Sequence, residues 1–262
     1  MAQRCGVRVS LPRCISAFVG ADLTTALLAS GLWKQAGTAL LADIGTNGEV
    51  ILCRNGAFSC CSTAAGPAFE EAGLSLGMAG KAGAVDHVTV SGGLLVPHVI
   101  GEGAPAGICG SGVVDAIAAL LRLEQLDETG LLDPDPAVIA GPVVLTQQDV
   151  RMVQLAKSAV CAGIRTLTKA AGLSLEQVGA LAIAGGFGSF LNLESAGAIG
   201  LIPPELVPKA RTLGNAALTG AAMLLLNRDF AAFSAALAEQ AETVELSTDA
   251  RFQEYYVEGM LF

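Results

Sequence analysis

Aromatic, charged and histidine residues are all scarce in this chain. Of its 262 residues, 5% are aromatic, 15% are charged and 2 are histidine. With only two histidines, neither a metal centre built from several imidazoles nor a Ser-His hydrolase site is expected. With 52% hydrophobic residues the composition is opposite to that of disordered proteins, so we expect one compact folded unit.

Positive charge is also in short supply. The net charge of −9 offers no field of Lys and Arg for nucleic-acid phosphates, so nucleic acid is not an expected partner. No uninterrupted apolar run has the length of a membrane-spanning helix. We therefore expect no membrane partner and a location in the cytoplasm.

The cysteines show no metal-cluster spacing. Seven are present, none of them forms a C-x-x-C pair, and the plant-type ferredoxin spacing is absent; they are residues 5, 14, 53, 60, 61, 109 and 161. We expect reduced thiols in the core and no iron–sulfur cluster in this chain.

Hydrophobic patterning predicts an α/β protein. A helix at 21–32 precedes three antiparallel strands at 39–44, 49–54 and 57–62, joined by tight turns at two Asn-Gly dipeptides. Further helices are predicted at 63–74, 113–123, 147–171, 193–198, 215–226 and 229–241, further strands at 87–91, 94–100 and 180–184, and a polar tail at the end. This order is typical of a ribonuclease-H-like fold with inserted loops.

The segment 43–49 (DIGTNGE) is the most informative candidate loop. A carboxylate at the mouth of a buried strand is costly to desolvate without a cation or donors nearby, and Mg²⁺ is the natural candidate at Asp43. Gly45 and Gly48 let backbone N–H groups approach an anion, and the Thr46 hydroxyl adds a donor. In the structural alternative, Asn47-Gly48 makes a type I′ turn that Asp43 fixes.

Three other glycine-rich stretches are weaker candidates. At 107–112, the start of a helix either binds an anion near Gly110 and Ser111 or uses its glycines for close packing, with Ser111 as N-cap. The run 185–188 (GGFG) ends a buried strand, where α/β folds place ligand crevices. Small residues on one face of 214–221 favour close packing against another backbone.

Taken together and in this order, these stretches resemble the ATPase region of the reductive activators of corrinoid proteins. That family is a branch of the actin-like (ASKHA) superfamily of actin, sugar kinases, acetate kinase and chaperone ATPases. The resemblance covers nearly the whole chain and is carried by 18–22 (FVGAD), 43–49, 61–70 (CSTAAGPAFE), 107–112 (GICGSG), 184–188 and 214–221.

The resemblance implies that two ribonuclease-H-like lobes clamp Mg-ATP, and that nucleotide turnover helps return an inactive cobalt(II) corrinoid protein to cobalt(I). It implies that Asp43 is the catalytic residue and holds magnesium through water. It also implies that the helix at 214–221 contacts the opposite lobe and that 20–32 is its counterpart from the first lobe. The nucleotide-binding residues it implies are Gly45, Thr46, Asn47, Gly48, Gly110, Ser111, Gly185, Gly186 and Gly188.

Only one DxGT loop is present, whereas a two-lobed phosphate clamp needs a second. We therefore expect residues 1–38 to be a leader and connecting helix left from the first lobe, and residues 39–262 to be the second ATPase lobe. The expected partners are a corrinoid protein, ATP and either the first lobe or a second subunit, with a homodimer as an alternative. Whether the chain alone is an enzyme stays open. The alternative functions are a non-catalytic docking module for a corrinoid protein and the ATPase lobe of a 2-hydroxyacyl-CoA dehydratase-type activator.

Overall fold

The computed structural model describes residues 9–71, 73–186 and 190–262. Its helices are α1 (Ala21–Ser30), α2 (Gly110–Arg122), α3 (Gln147–Ala170), α4 (Leu193–Ala198), α5 (Ala216–Leu226), α6 (Arg228–Gln240) and α7 (Ala250–Glu258). Its strands are β1 (Thr38–Ile44), β2 (Gly48–Arg54), β3 (Ala57–Thr63), β4 (Ala84–Ser91), β5 (Leu94–Val99), β6 (Gly107–Ile108), β7 (Ala137–Ala140), β8 (Val143–Leu145), β9 (Ala180–Ala184), β10 (Ala210–Gly214) and β11 (Glu242–Thr243).

The main sheet has six strands in the order β10-β9-β1-β2-β3-β11. The predicted meander is confirmed, because β1 pairs antiparallel with β2 and β2 with β3. Beside it, β9 runs parallel to β1 and β10 runs parallel to β9. This is the strand order of a ribonuclease-H-like α/β fold, as the sequence predicts.

The sheet is covered on both faces, and β1 shows why its sequence is apolar throughout. Successive side chains of a strand point to opposite faces. Leu40 belongs to the core that includes α3, whereas Leu41 belongs to the core formed with α1 and α5. Both leucines are fully buried. A strand enclosed in this way needs apolar residues at consecutive positions rather than at every second one.

The insertion between β3 and α3 carries its own small sheets. Strand β4 lies between β5 and β6, and β7 pairs with β8. Helix α2 packs against β4, where Gly112 lies so close that an added Cβ would be 2.2 Å from the Val85 carbonyl oxygen. The long helix α3 then returns the chain to the main sheet. It begins with a capping box between Thr146 and Asp149.

Two expectations from the sequence are wrong, and the edge strand β10 was not predicted. The predicted helix at 63–74 is absent: β3 extends to Thr63, and the following described residues form i→i+3 turns such as Glu70 N–H to Pro67 O. The predicted polar tail contains helix α7, whose Phe252 and Tyr256 pack on the core. Strand β10 was not expected, because this edge strand is only partly buried and lacks a strand pattern. None of the helices in the described ranges is long and apolar enough to cross a membrane.

Candidate functional site

Three parallel strands end at one edge of the main sheet and bring their following loops together. Register pairs Asp43 of β1 with Ala184 of β9, and Ala184 with Gly214 of β10. Carboxyl ends of neighbouring parallel strands are where α/β sheets place ligands. Here they border a cleft of 330 Å³, lined by Asp22, Asp43, Gly45, Thr46, Asn47, Glu49, Gly185, Gly186, Asn215 and Ala217.

Three carboxylates converge in this cleft. Burial, with the nearby charge of Asp22, raises the pKa of Asp43 to about 6. Burial and the same neighbour raise the pKa of Glu49 to about 7, although the Gly20 N–H, 3.4 Å from Glu49 Oε1, favours the ionised form. Burial and like charge disfavour the ionised form of both carboxyl groups, and a cation bound in the cleft would favour it. An all-oxygen donor set of this kind fits Mg²⁺, which is bound through one or two carboxylates, water and phosphate oxygens.

Two hydrogen bonds fix the loop after β1, one of them to a neighbouring carboxylate. The Thr46 hydroxyl donates to Glu70 Oε2 at 2.7 Å, and the Gly45 N–H donates to the Asn47 carbonyl at 3.0 Å. Both Thr46 and Asn47 are exposed. The loop therefore presents polar side chains and backbone to the cleft from a fixed conformation.

Gly185 is required by the backbone itself. Its φ of +115° lies in a region that side-chain-bearing residues avoid, and an added Cβ would be 2.2 Å from the Ile44 carbonyl oxygen. The loops after β1 and β9 touch at this point. At Gly186, in contrast, an added Cβ would meet no described residue within 4 Å.

A second cavity of 330 Å³ lies on the other side of Gly45 and Gly186, which line both spaces. It is also lined by Gly110 and Ser111 at the start of α2. The Ser111 hydroxyl donates to the Asp86 carbonyl at 2.9 Å, so it is not the N-cap; Cys109 occupies that position without a side-chain cap. The two cavities share Gly45 and Gly186, and the second is the more apolar of the two.

Most of the predicted site residues meet at these two cavities. Gly48 is the exception: it is buried at the start of β2, where an added Cβ would be 2.7 Å from Thr63 Oγ1. Its place indicates packing beneath the loop. Gly188 lies outside the described residues. The residues Asp43, Gly45, Thr46, Asn47, Gly110, Ser111, Gly185 and Gly186 all line one or both cavities.

Four residues of the site were not singled out from the sequence. Asp22, Glu49 and Glu70 each belong to a motif that carries the resemblance, but the sequence alone does not show that their side chains point towards the site. Asn215 accepts the Leu218 N–H at 2.9 Å and caps α5 at the cleft. An Asn directly before an apolar helix was the available signal.

Helices α1 and α5 cross at close range beside the cleft. An added Cβ at Gly220 would be 1.9 Å from the Thr25 carbonyl oxygen. The close packing predicted for the small-residue helix is therefore confirmed, with α1 as its neighbour. This crossing places the α1 N-terminus, with Asp22, opposite Asp43 and Glu49.

The strand order, the insertion after the meander and the cleft at the strand ends define an α/β lobe of the actin-like ASKHA class. A family model described as the C-terminal domain of RACo, the ASKHA domain, matches residues 37–262. The chain belongs to this family, the ASKHA domains of reductive activators of corrinoid proteins.

Individual relatives agree with this assignment. The chain is 38% identical over 277 residues to the corrinoid activation enzyme RamQ of Eubacterium limosum, covering 95% of this chain and 46% of the relative. It is 29% identical over 243 residues to the Co(II) methylated amine-specific corrinoid protein reductase of Methanosarcina barkeri, covering 84% and 45%. The solved structure of a reductive activator for corrinoid, iron-sulfur protein superposes with a TM-score of 0.90 at 33% identity, covering 96% of this chain and 44% of that one. The chain thus spans about half the length of these relatives.

Proposed function

We propose that this chain is the nucleotide-binding lobe of an ATP-dependent reductive activator, which returns a cobalt(II) corrinoid protein to cobalt(I) in the cytoplasm. The observation that carries the proposal is the meeting of Asp43, the 45–47 loop and Gly185 at one strand edge. The names of the relatives support corrinoid activation as the role of the longer protein.

The chemistry follows from the two cavities. Bound Mg²⁺ supplies charge neutralisation for phosphate oxygens. Asp43 would hold the ion through water, with Asp22 and Glu49 as neighbouring carboxylates. The backbone at Gly45 and the Thr46 hydroxyl orient the phosphates, and the Gly185-Gly186 turn leaves room for the nucleoside to continue into the second cavity. Each group binds or orients, which is how phosphoryl-transfer sites obtain most of their catalysis.

A partner covers the exposed face of α5 in this proposal. Leu218, Leu225 and Leu226 are 67%, 88% and 86% exposed on one short helix. Apolar exposure of this density marks an interaction surface. We assign it to the first lobe of the longer protein, with residues 1–38 as the remnant that connects the lobes and 39–262 as the second lobe. A homodimer through this face stays the alternative, and light scattering across concentration would separate the two.

The corrinoid branch is favoured over a 2-hydroxyacyl-CoA dehydratase-type activator by one further contact. That alternative places cluster cysteines at a subunit interface, with Cys109 as the suggestive residue. Cys109 is only 8% exposed and its sulfur lies 3.4 Å from Ser111 Oγ. A thiol in this position is part of the packing at the start of α2.

Calorimetric titration of a non-hydrolysable Mg-ATP analogue into the 262-residue chain tests nucleotide binding. We expect weak binding of the analogue by the wild-type lobe and at least a tenfold loss of affinity in Asp43→Asn, because the variant removes one of the three carboxylates that converge in the cleft. Asp133→Asn removes an exposed carboxylate outside both cavities and serves as the matched control.

Two results would count against the proposal. Absence of binding to the folded wild-type chain would show that this lobe does not hold nucleotide by itself. Equal affinity in Asp43→Asn and Asp133→Asn would remove Asp43 from the site. For the longer protein, loss of ATP-dependent cobalt(I) formation in Asp43→Asn, followed by the corrinoid absorption spectrum, is the expected result.

A further inference from the structure

The two histidines of this chain are brought together by the small sheet in the insertion. His87 of β4 and His98 of β5 are directly opposed in the antiparallel register. The register shifts between Val85 and His87, so the pair lies beside a β-bulge, and cross-strand partners in antiparallel sheets have Cβ atoms about 5 Å apart. The rings are accessible, since the side chains are 37% and 67% exposed. Nothing in the nucleotide cleft uses them.

Each imidazole is oriented by a carboxylate. His87 Nδ1 lies 2.9 Å from Asp115 Oδ2, and His98 Nδ1 lies 2.5 Å from Asp86 Oδ1. An ionised carboxylate only accepts hydrogen bonds, so the proton is placed on Nδ1 and the lone pair on Nε2. Neither Nε2 has a hydrogen-bond partner within the described ranges. Carboxylate–histidine pairs of this kind fix the tautomer and raise the basicity of metal-binding histidines.

The two carboxylates that orient the histidines are almost fully buried. Asp115 and Asp86 are 2% and 9% exposed, and among the described residues their ion-pair partners are only these two imidazoles. Asp115 Oδ1 has no hydrogen-bond partner in the described part of the chain. With neutral imidazoles the four side chains carry two negative charges. Buried carboxylates need compensation, and one divalent cation on the two Nε2 atoms would supply it.

The geometry points to a two-histidine site for a borderline divalent metal ion, Zn²⁺, Ni²⁺ or Cu²⁺, at His87 and His98, with water in the remaining positions. Imidazole nitrogen suits these metals and not Mg²⁺, so the site is distinct in chemistry from the carboxylate cleft. No cluster of three or more His, Cys, Asp or Glu side chains is arranged around a metal position in the described residues. With two imidazole ligands from the protein, the proposed site leaves the other coordination positions to water.

The test is titration of Zn²⁺ and Ni²⁺ into the tag-free 262-residue chain at pH 8, where free imidazole is neutral, with excess Mg²⁺ present. We expect one ion per chain, and a loss of affinity of about tenfold or more in both His87→Ala and His98→Ala. Asp115→Asn should weaken binding by about 10- to 100-fold through the orienting hydrogen bond. Thr89→Ala, an exposed position two residues along the same strand, and Cys14→Ser, which removes an exposed thiol, are the controls.

Thermal unfolding gives a second readout that does not depend on the buried Asp115 variant folding. Metal should raise the melting temperature of the wild type and of Thr89→Ala, and should leave that of His98→Ala unchanged. Binding that survives both histidine substitutions, that is lost in Cys14→Ser, or that saturates at one ion per two chains would overturn the proposal. So would the absence of saturable binding.

Discussion

Replacing Glu49 by Gln should stabilise the nucleotide-free chain at high pH and leave it nearly unchanged at low pH. Burial and the charge of Asp22 raise the pKa of Glu49 from 4.5 to about 7. The folded chain therefore holds a proton over a pH range in which the unfolded chain has released it. The stability that this proton contributes is complete below pH 4.5 and is lost as the pH rises through about 7.

The size of the effect follows from the pKa difference. Because one pKa unit corresponds to about 1.4 kcal/mol, the whole difference corresponds to about 3.4 kcal/mol. Solvent screening of this partly accessible carboxyl group reduces the cost of ionised Glu49 in the folded chain to roughly 2–3 kcal/mol above neutral pH. Gln keeps the shape of the side chain without the charge. We expect a gain in the free energy of unfolding of about 2 kcal/mol at pH 8, and a gain of less than about 1 kcal/mol at pH 5.

Urea unfolding of both chains at pH 5 and pH 8 measures this difference, with EDTA present so that no divalent ion neutralises the cleft. Glu102→Gln removes an exposed charge elsewhere and should have no pH-dependent effect on stability. The reasoning is refuted if Glu49→Gln gives the same gain at both pH values, or if it destabilises the chain at pH 8.

Two glycine substitutions test the backbone of the site. Gly185→Ala should destabilise the chain by about 2–3 kcal/mol, because the φ of Gly185 is +115° and the added Cβ would clash with the Ile44 carbonyl. Gly186→Ala should leave the free energy of unfolding within about 0.5 kcal/mol of the wild-type value. Urea unfolding that ranks the two variants in the opposite order would contradict the geometry. Gly220→Ala should lower the free energy of unfolding by about 1–3 kcal/mol, because α1 and α5 must separate at Thr25. An unchanged melting temperature would show that this contact is not tight.

The local sequence pattern was sufficient to predict elements that are determined by residues close together in the sequence. The meander, the capped α3 and the apolar β9 were predictable because strand alternation, Asn-Gly turns and N-caps are decided within a few residues. The 63–74 segment was not, since its apparent helical pattern is overridden by close packing: an added Cβ at Gly73 would be 1.9 Å from the Pro67 carbonyl. Helix α7 was missed because its apolar residues, Phe252 and Tyr256, are buried only by packing on a core formed by residues remote in sequence.

For the site, the sequence by itself determined the chemistry available: a carboxylate ending a buried strand, a polar loop after it and glycines at a later strand end. The tertiary structure alone decided which of these meet. Parallel pairing of β1 with β9 sets Asp43 beside Gly185, and the crossing of α1 over α5 brings Asp22 to the same cleft. It also assigned Gly48 to packing and opposed the two histidines across β4 and β5. Residue type is a local property, whereas distance between residues remote in sequence is set by strand register and helix packing, which no local pattern specifies.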